Sequence, residues 1–197
     1  ADRCRAHDVV LASDEAYCEL WFEGEPPASV LQAGDLTNVL AFHTLSKRSS
    51  MTGYRSGFVA GDPELIAAMR SLRPSSGLTP QEFVQHAAVA AWSDETHVEE
   101  MRAAYGRKRK PFLDVLSSHR VRVAGSAATF YLWVAVPAGL TSLDWSLRLL
   151  EDADLIVAPG PFFGPDGEGY VRLATVPTLE DCERAADALD RALGRTS

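Results

Sequence analysis

The stretch TLSKRSSMTGYRSGF, residues 44–58, gathers Lys47, Arg48 and Arg55 among Thr44, Ser46, Ser49 and Ser50 in a chain whose net charge is −8. On its own, a short run of cations is a solvated face. Its position gives it another meaning. It follows the apolar run NVLAFHT (38–44) and overlaps RSGFVAG (55–61), so hydroxyls and cations are delivered where one strand ends and the next begins. The earlier run DVVLAS (8–13) closes on Asp14 and Glu15, as a buried parallel strand does when it presents polar residues at its carboxyl end. RSGFVAG leads into DPELIAAMRSL, with Asp62 as N-cap and Pro63 at the first helical position. Strands interleaved with helices predict an α/β architecture built on a mostly parallel sheet.

Residues 79–118 are helical in pattern. TPQEFVQHAAVAAW starts at Thr79 and Pro80, and a long charged helix, DETHVEEMRAAYGRKRKPFLDVLSS, follows, interrupted only by Gly106 and Pro111. Then come RVRVAG, ATFYLWVAV, the helix DWSLRLLEDA, LIVAPG, YVRLATV and a final helix LEDCERAADALDRAL, a compact α+β unit. This change of character predicts two parts: residues 1–106, a strand-and-helix domain with its connecting helices, and residues 107–197, a small C-terminal domain. APGPFFGPDGEG (158–169) holds three prolines and four glycines. Its adjacent phenylalanines suit the wall of a site better than a linker.

With 197 residues, 46% of them hydrophobic, the chain can bury one large core or two small ones. An excess of acid argues against a nucleic-acid partner, which calls for a basic stripe. Cys4, Cys18 and Cys182 are odd in number and lack disulfide or metal-site spacing, so no metal is expected and a reducing compartment, the cytoplasm, is. Apolar runs are short and broken, which predicts no membrane span. ADRCRAHDVVLASDEAY reads as the last turn of a helix followed at once by a strand, with neither a cap nor a methionine before it; the chain is expected to be cut rather than begun.

An anionic phosphate calls for a guanidinium with hydroxyls around it, and Arg55, Thr44 and Ser46 can supply these. A reactive aldehyde calls for a lysine whose amine gives up its proton readily, which Lys47, near a strand end and beside Arg48, can do. A pyridine ring that absorbs electrons needs a carboxylate facing its nitrogen, for which Asp14 is placed, and Tyr17 can donate to a phenolic oxygen. Taken singly, an Asp at a strand end is more often a helix cap and a lone Tyr is usually a packing residue.

SDEAY (13–17), TLSKRSSMTGYRSGF (44–58), APGPFFG (158–164) and YVRLA (170–174), in that order, resemble the second half of a fold-type I, class I/II aminotransferase dependent on pyridoxal phosphate. The resemblance runs the length of the chain. It implies that Asp14 pairs with the pyridine nitrogen and Tyr17 with the phenolic oxygen. Lys47 would form the imine with the cofactor and move the proton between cofactor and substrate, while Thr44, Ser46 and Arg55 hold the phosphate. Arg172 would clamp the substrate's α-carboxylate, and an arginine in an otherwise apolar strand is costly without an anionic partner. Thr44 stands where the family more often has serine. The family's N-terminal half, which carries a glycine-rich phosphate loop, an aromatic stacked on the pyridine and an asparagine, has no counterpart here.

Within the family, SDEAYCEL, HTLSKRSSMTGYRSGFVAGDPEL and TFYLWV are more similar to succinyldiaminopimelate aminotransferases of bacterial lysine biosynthesis than to aspartate or aromatic aminotransferases. Amino-acid and 2-oxo-acid substrates and a homodimer are implied. A carbon–sulfur β-lyase of the same fold shares every motif, and a non-catalytic sensor module or a remnant are the alternatives from another class. Few strands leave sheet edges open, so an assembly or partner that covers them is expected. His43 reads as a packed residue, His86 and His97 lack ligand spacing, Trp92, Tyr131 and Trp133 read as packing aromatics, and Cys18 lacks a base motif beside it.

Overall fold

A computed structural model describes residues 1–77 and 79–195. The chain divides into two compact units, the first Ala1–Met101 and the second beginning at Arg102. The division falls inside a helix, earlier than the expected 106/107 boundary.

The first unit holds α1 (Asp2–Ala6), β1 (Leu11–Asp14), β2 (Val39–Thr44), α2 (Leu45–Arg48), β3 (Gly57–Gly61), α3 (Pro63–Ser76), α4 (Glu82–Trp92) and the start of α5 (Thr96–Ser118). The strand order is β1-β2-β3. β1 and β2 are parallel, with Leu11 opposite Val39 and Asp14 opposite Phe42, whereas β3 runs antiparallel to β2, with Thr44 opposite Gly57. Leu20, Val39, Ala41, Leu45 and Val98 are fully buried and form its interior.

β1 starts later than the DVVLAS run suggested. Asp8 adopts a left-handed conformation (φ 52°), and the amides of Asp8 and Val9 bond back to Arg5 O and Cys4 O, so these residues finish α1 instead of extending the strand. β3 likewise begins at Gly57 because Arg55 sits at φ 50°. Gly57 is required there: a Cβ would fall inside the van der Waals surface of His43 O and lie 3.2 Å from Thr44 Cα. Asp62 caps α3 as its sequence predicts, accepting from Glu64 N at 2.8 Å and Leu65 N at 3.4 Å, and its second oxygen accepts from Asn38 N at 2.7 Å. One carboxylate thus ties the start of α3 to the start of β2.

α5 passes through Gly106 and Pro111 without a break, although the sequence pattern suggested interruptions there. Pro111 forgoes one backbone hydrogen bond. The turn is held by Phe112 and Leu116, 3% and 1% exposed, which pack into the second unit's core. Burial of an apolar side chain of this size stabilises by about 1.5–3 kcal/mol, enough to offset much of the proline's cost of about 3 kcal/mol.

The second unit adds β4 (Val123–Gly125), β5 (Tyr131–Ala135), α6 (Ser142–Ala153), β6 (Ala158–Pro159), β7 (Tyr170–Ala174) and α7 (Leu179–Gly194). Its antiparallel sheet has the order β4-β5-β7-β6. Leu132 and Val134 of β5 and Val171 and Leu173 of β7 turn to one face and pack with Trp145, Leu149, Cys182, Ala186 and Leu189 from the helices. α6 opens with a Thr141/Asp144 capping box and α7 with Thr178 accepting from Asp181 N. β6 is only two residues long, because Pro159 has no N–H to donate and the chain folds at once into two 3-10 turns, Gly160–Phe163 and Pro165–Gly167. Those turns touch backbone to backbone at Gly160 and Gly167, leaving no room for a Cβ at either.

Candidate active site

The carboxyl ends of the parallel pair β1/β2 are where an open α/β sheet offers a ligand its polar groups. Asp14 is the last residue of β1; it is exposed, and Oδ1 accepts from Ala16 N at 3.1 Å. Tyr17 lies in the turn that follows. β2 ends at Thr44, which is also the N-cap of the single-turn helix α2. Its Oγ1 accepts from Ser46 N at 3.1 Å and donates to Ser56 O at 3.3 Å. Ser46 is buried, and its carbonyl accepts from Thr52 Oγ1 at 3.1 Å, so the hydroxyl-rich segment is braced from within.

Lys47, half-buried on α2, carries its ammonium 5.8 Å from the centre of the Tyr17 ring. That contact joins the β1 turn to the β2 turn. Arg55 is exposed, its Nη1 donating to Thr52 O at 3.2 Å, and it precedes Ser56, whose carbonyl accepts from both Thr44 Oγ1 and Leu45 N. Asp14, Tyr17, Thr44, Ser46, Lys47 and Arg55 therefore all lie in the first unit on connected turns at one end of its sheet. A cavity of about 650 Å³ opens beside Arg55 and Tyr54 against Phe83 and Val84 of α4.

Beneath these residues Glu15, His43 and Cys18 meet in a half-buried layer; His43 is packed as its sequence position suggested, but its pairing with Glu15 was not foreseen. Glu15, 9% exposed, accepts from Val30 N at 2.9 Å, and its other oxygen is 3.3 Å from His43 Nε2. His43 Nδ1 is 3.9 Å from Cys18 Sγ, and the imidazole stacks on Phe58 at 4.8 Å. Burial, with Glu19 and Glu15 nearby, pushes the Cys18 thiol up to about 11, so it stays neutral. The hint in the sequence was an acid directly after Asp14 at a strand end. Arg48 departs from the expectation of a second cation perturbing Lys47. It is 4% exposed and turned away from the solvent, paired with Glu95 and donating to Ala91 O at 2.8 Å.

Arg172 belongs to the second unit. It lies on β7 opposite Trp133, and its guanidinium is 4.3 Å from the Tyr131 ring centre and 4.4 Å from that of Phe163. Trp133 stacks on Tyr170 at 5.7 Å and meets Phe163 edge-on at 5.7 Å. One face of the small sheet thus carries aromatic rings around a cation, opposite the face that builds the core. Phe163 comes from the APGPFFG loop, which folds into the 3-10 turn Gly160–Phe163.

Among the described residues, no cluster of three or more His, Cys, Asp or Glu could hold a metal ion, and no helix is long and apolar enough to cross a membrane. The LL-diaminopimelate aminotransferase of Aquifex aeolicus is 36% identical over 193 residues, covering 96% of this chain and 49% of its own length. Among solved structures, an aromatic aminotransferase from Pyrococcus horikoshii superposes with a TM-score of 0.88 at 32% identity, over 99% of this chain and 54% of that one. An aminotransferase from Neisseria meningitidis gives 0.87 at 36% identity, over 97% and 51%. The chain spans about half the length of the curated relatives it matches. The family described as aminotransferase class I and II matches residues 1–189, and the chain, with the fold-type I architecture of that pyridoxal-phosphate-dependent family, belongs to it.

Proposed function

We propose that the chain forms the lysine-bearing half of an aminotransferase that moves an amino group from an amino acid to a 2-oxo acid. The observation that carries this reading is the meeting of Lys47 with Tyr17, 5.8 Å from ammonium to ring centre, with Asp14 at the tip of β1, opposite Phe42 in the parallel register.

The donor set fits pyridoxal phosphate: a carboxylate, a phenol, a half-buried primary amine, two hydroxyls and a guanidinium on connected turns. When bound, that cofactor supplies an electron sink for the carbanion at the substrate's α-carbon. Asp14 holds a proton on the ring nitrogen, and Tyr17 donates to the phenolic oxygen. Lys47 would hold the aldehyde carbon through its ε-amine and would serve as the acid and base that moves the proton at the substrate α-carbon. Thr44, Ser46 and Arg55 hold the phosphate. Thr44 must then turn its hydroxyl proton from Ser56 O to the phosphate, since a hydroxyl has a single donor. Arg55 has five N–H donors and can keep Thr52 O while forking to the anion. Arg172 receives the substrate's α-carboxylate between the Tyr131 and Phe163 rings, where stacking keeps the guanidinium plane fixed.

For the donor we infer a diaminopimelate-type amino acid, with 2-oxoglutarate as acceptor. The relatives named LL-diaminopimelate aminotransferase support this, and the N-succinyl derivative is the variant the sequence resemblance favoured. The working form is a cytoplasmic homodimer. The test is glutamate formation by the complete gene product with LL-diaminopimelate, N-succinyl-LL-diaminopimelate, aspartate or phenylalanine as donor. Turnover with either diaminopimelate donor well above that with aspartate and phenylalanine is expected. Preference for aspartate or phenylalanine would remove the substrate assignment, and the absence of glutamate with every donor would remove the activity.

A further inference from the structure

α2 is a single turn of four residues, Leu45–Arg48, far too short to hold its own geometry in water. Its start is fixed by the Thr44 cap and by fully buried Leu45. Its end is fixed differently. The two residues after Lys47, Arg48 and Ser49, both reach to one distant segment, residues 91–97, where α4 passes into α5.

Arg48 Nη1 donates to Ala91 O at 2.8 Å, its Nη2 pairs with the Glu95 carboxylate, and its guanidinium lies 4.8 Å from the centre of a Trp92 ring. Glu19 approaches Arg48 Nε from the β1 turn at 3.8 Å. A guanidinium buried to this degree is tolerated only when its charge and its N–H groups are matched, which these partners do. Ser49 Oγ is 2.8 Å from His97 Nε2, and His97 Nδ1 is 2.8 Å from Asp94 Oδ2. The hydrogen bond from His97, with a second from Thr96 N, holds the Asp94 carboxyl below its ordinary range. In a neutral imidazole, a proton on Nδ1 directed at the Asp94 carboxylate leaves Nε2 to accept from the Ser49 hydroxyl. The order of groups is that of a hydrolytic relay, but the Ser49 N–H is committed to Leu45 O at 3.0 Å and is not available to an oxyanion.

We propose that Arg48, Ser49 and His97 are positioning residues for Lys47, a two-point clamp that sets the rotation of α2 and so the place of the lysine amine. The proposal rests on the reading of Lys47 as the cofactor's lysine. A long side chain amplifies any change in its helix. With Cα about 2.3 Å from the helix axis and an extended lysine beyond it, a turn of about 20° moves the amine on the order of 2–3 Å. A misplacement of about 1 Å at a reacting group is already costly.

The test uses the complete gene product with added pyridoxal phosphate and the variants Ser49→Ala, Ser49→Thr, His97→Gln and the Ser49→Ala/His97→Gln double. His97 and Asp94 are 30% and 50% exposed in their side chains, so these changes are tolerable for folding, and the melting temperature of the cofactor-free protein serves as control. Two readouts are followed: the pH midpoint of the visible absorbance of the protein-bound cofactor, and the affinity for the cofactor. Ser49→Ala and His97→Gln each weaken the affinity about three- to tenfold, the loss of one hydrogen bond, and shift the pH midpoint in the same direction. The double variant matches either single, and Ser49→Thr, which keeps the hydroxyl, restores the parent values. Unchanged midpoint and affinity in both singles, or losses that add in the double, overturn the proposal. Borohydride reduction of the parent protein separates the two readings: an adduct on a lysine other than Lys47 defeats the assignment of Lys47 itself, whatever the clamp variants do.

Discussion

Replacing Gly57 by alanine places a methyl group where β3 passes closest to β2, against His43 O and 3.2 Å from Thr44 Cα. The strands must part by on the order of 1 Å to restore ordinary contact distances. Overpacking of this kind costs about 1–3 kcal/mol. Two hydrogen bonds hang on the same approach, Leu45 N to Ser56 O at 3.1 Å and Thr44 Oγ1 to Ser56 O at 3.3 Å, and each contributes about 0.5–1.5 kcal/mol. The total, about 2–6 kcal/mol, corresponds to a melting temperature lower by about 4–24 °C for a chain of this size. Because Thr44 caps α2, weaker cofactor binding accompanies the lower melting point. Gly53→Ala is the matched control, since a Cβ at Gly53 meets nothing within 4 Å. Both are measured by thermal denaturation and cofactor titration of the complete gene product. If Gly57→Ala melts with the parent and binds the cofactor as well, the packing argument at the β2–β3 junction is wrong.

Arg172→Lys keeps the charge but loses the fork and the stacking between Tyr131 and Phe163; kcat/KM falls about 10- to 100-fold, corresponding to about 1.5–3 kcal/mol, and an unchanged value with either substrate removes Arg172 from carboxylate binding. Cys18, pushed up to about 11 chiefly by burial, stays a neutral thiol near pH 8 and reacts with a thiol reagent far more slowly in the native than in the unfolded protein; equal rates refute its burial. Asp94, whose carboxyl is held down first by its hydrogen bond to His97, stabilises the α2 contacts at pH values above the ordinary aspartate value of 3.8, and that contribution is lost as the pH falls through the depressed folded value. The protection of the amides at residues 45–51, taken relative to their intrinsic exchange rates, therefore falls in acid more in the parent protein than in Asp94→Asn; identical acid profiles count against it.

Local rules found what depends on neighbours in sequence. Asp62 and Pro63 marked the start of α3 because a cap and a first-turn proline act within three residues, and the apolar run YVRLA marked β7, where burial has a period of two. The same rules misjudged β1 and β3, where left-handed Asp8 and Arg55 redirect the chain, and no residue-type signal points to a positive φ at an arginine. Pro111 looked like a break in α5 but is overridden by the packing of Phe112 and Leu116, contacts that lie far along the chain. At the candidate site, the placement of Asp14 and Thr44 at strand ends, with Tyr17, Ser46, Lys47 and Arg55 on the turns beside them, was legible because a strand end is a local feature. Arg48 was read only as a cation beside Lys47, since its partners Ala91 and Glu95 are more than forty positions away, and His97 could not be tied to Ser49 before the turn between α4 and α5 was placed.

The most direct measurement is the site of covalent attachment. The complete gene product is mixed with pyridoxal phosphate, reduced with borohydride, digested and examined by mass spectrometry, alongside Lys47→Ala. The adduct falls on Lys47, and the visible band of the bound cofactor is absent from the Lys47→Ala protein. An adduct on Lys108, Lys110 or another lysine, or a band that survives the substitution, contradicts the assignment.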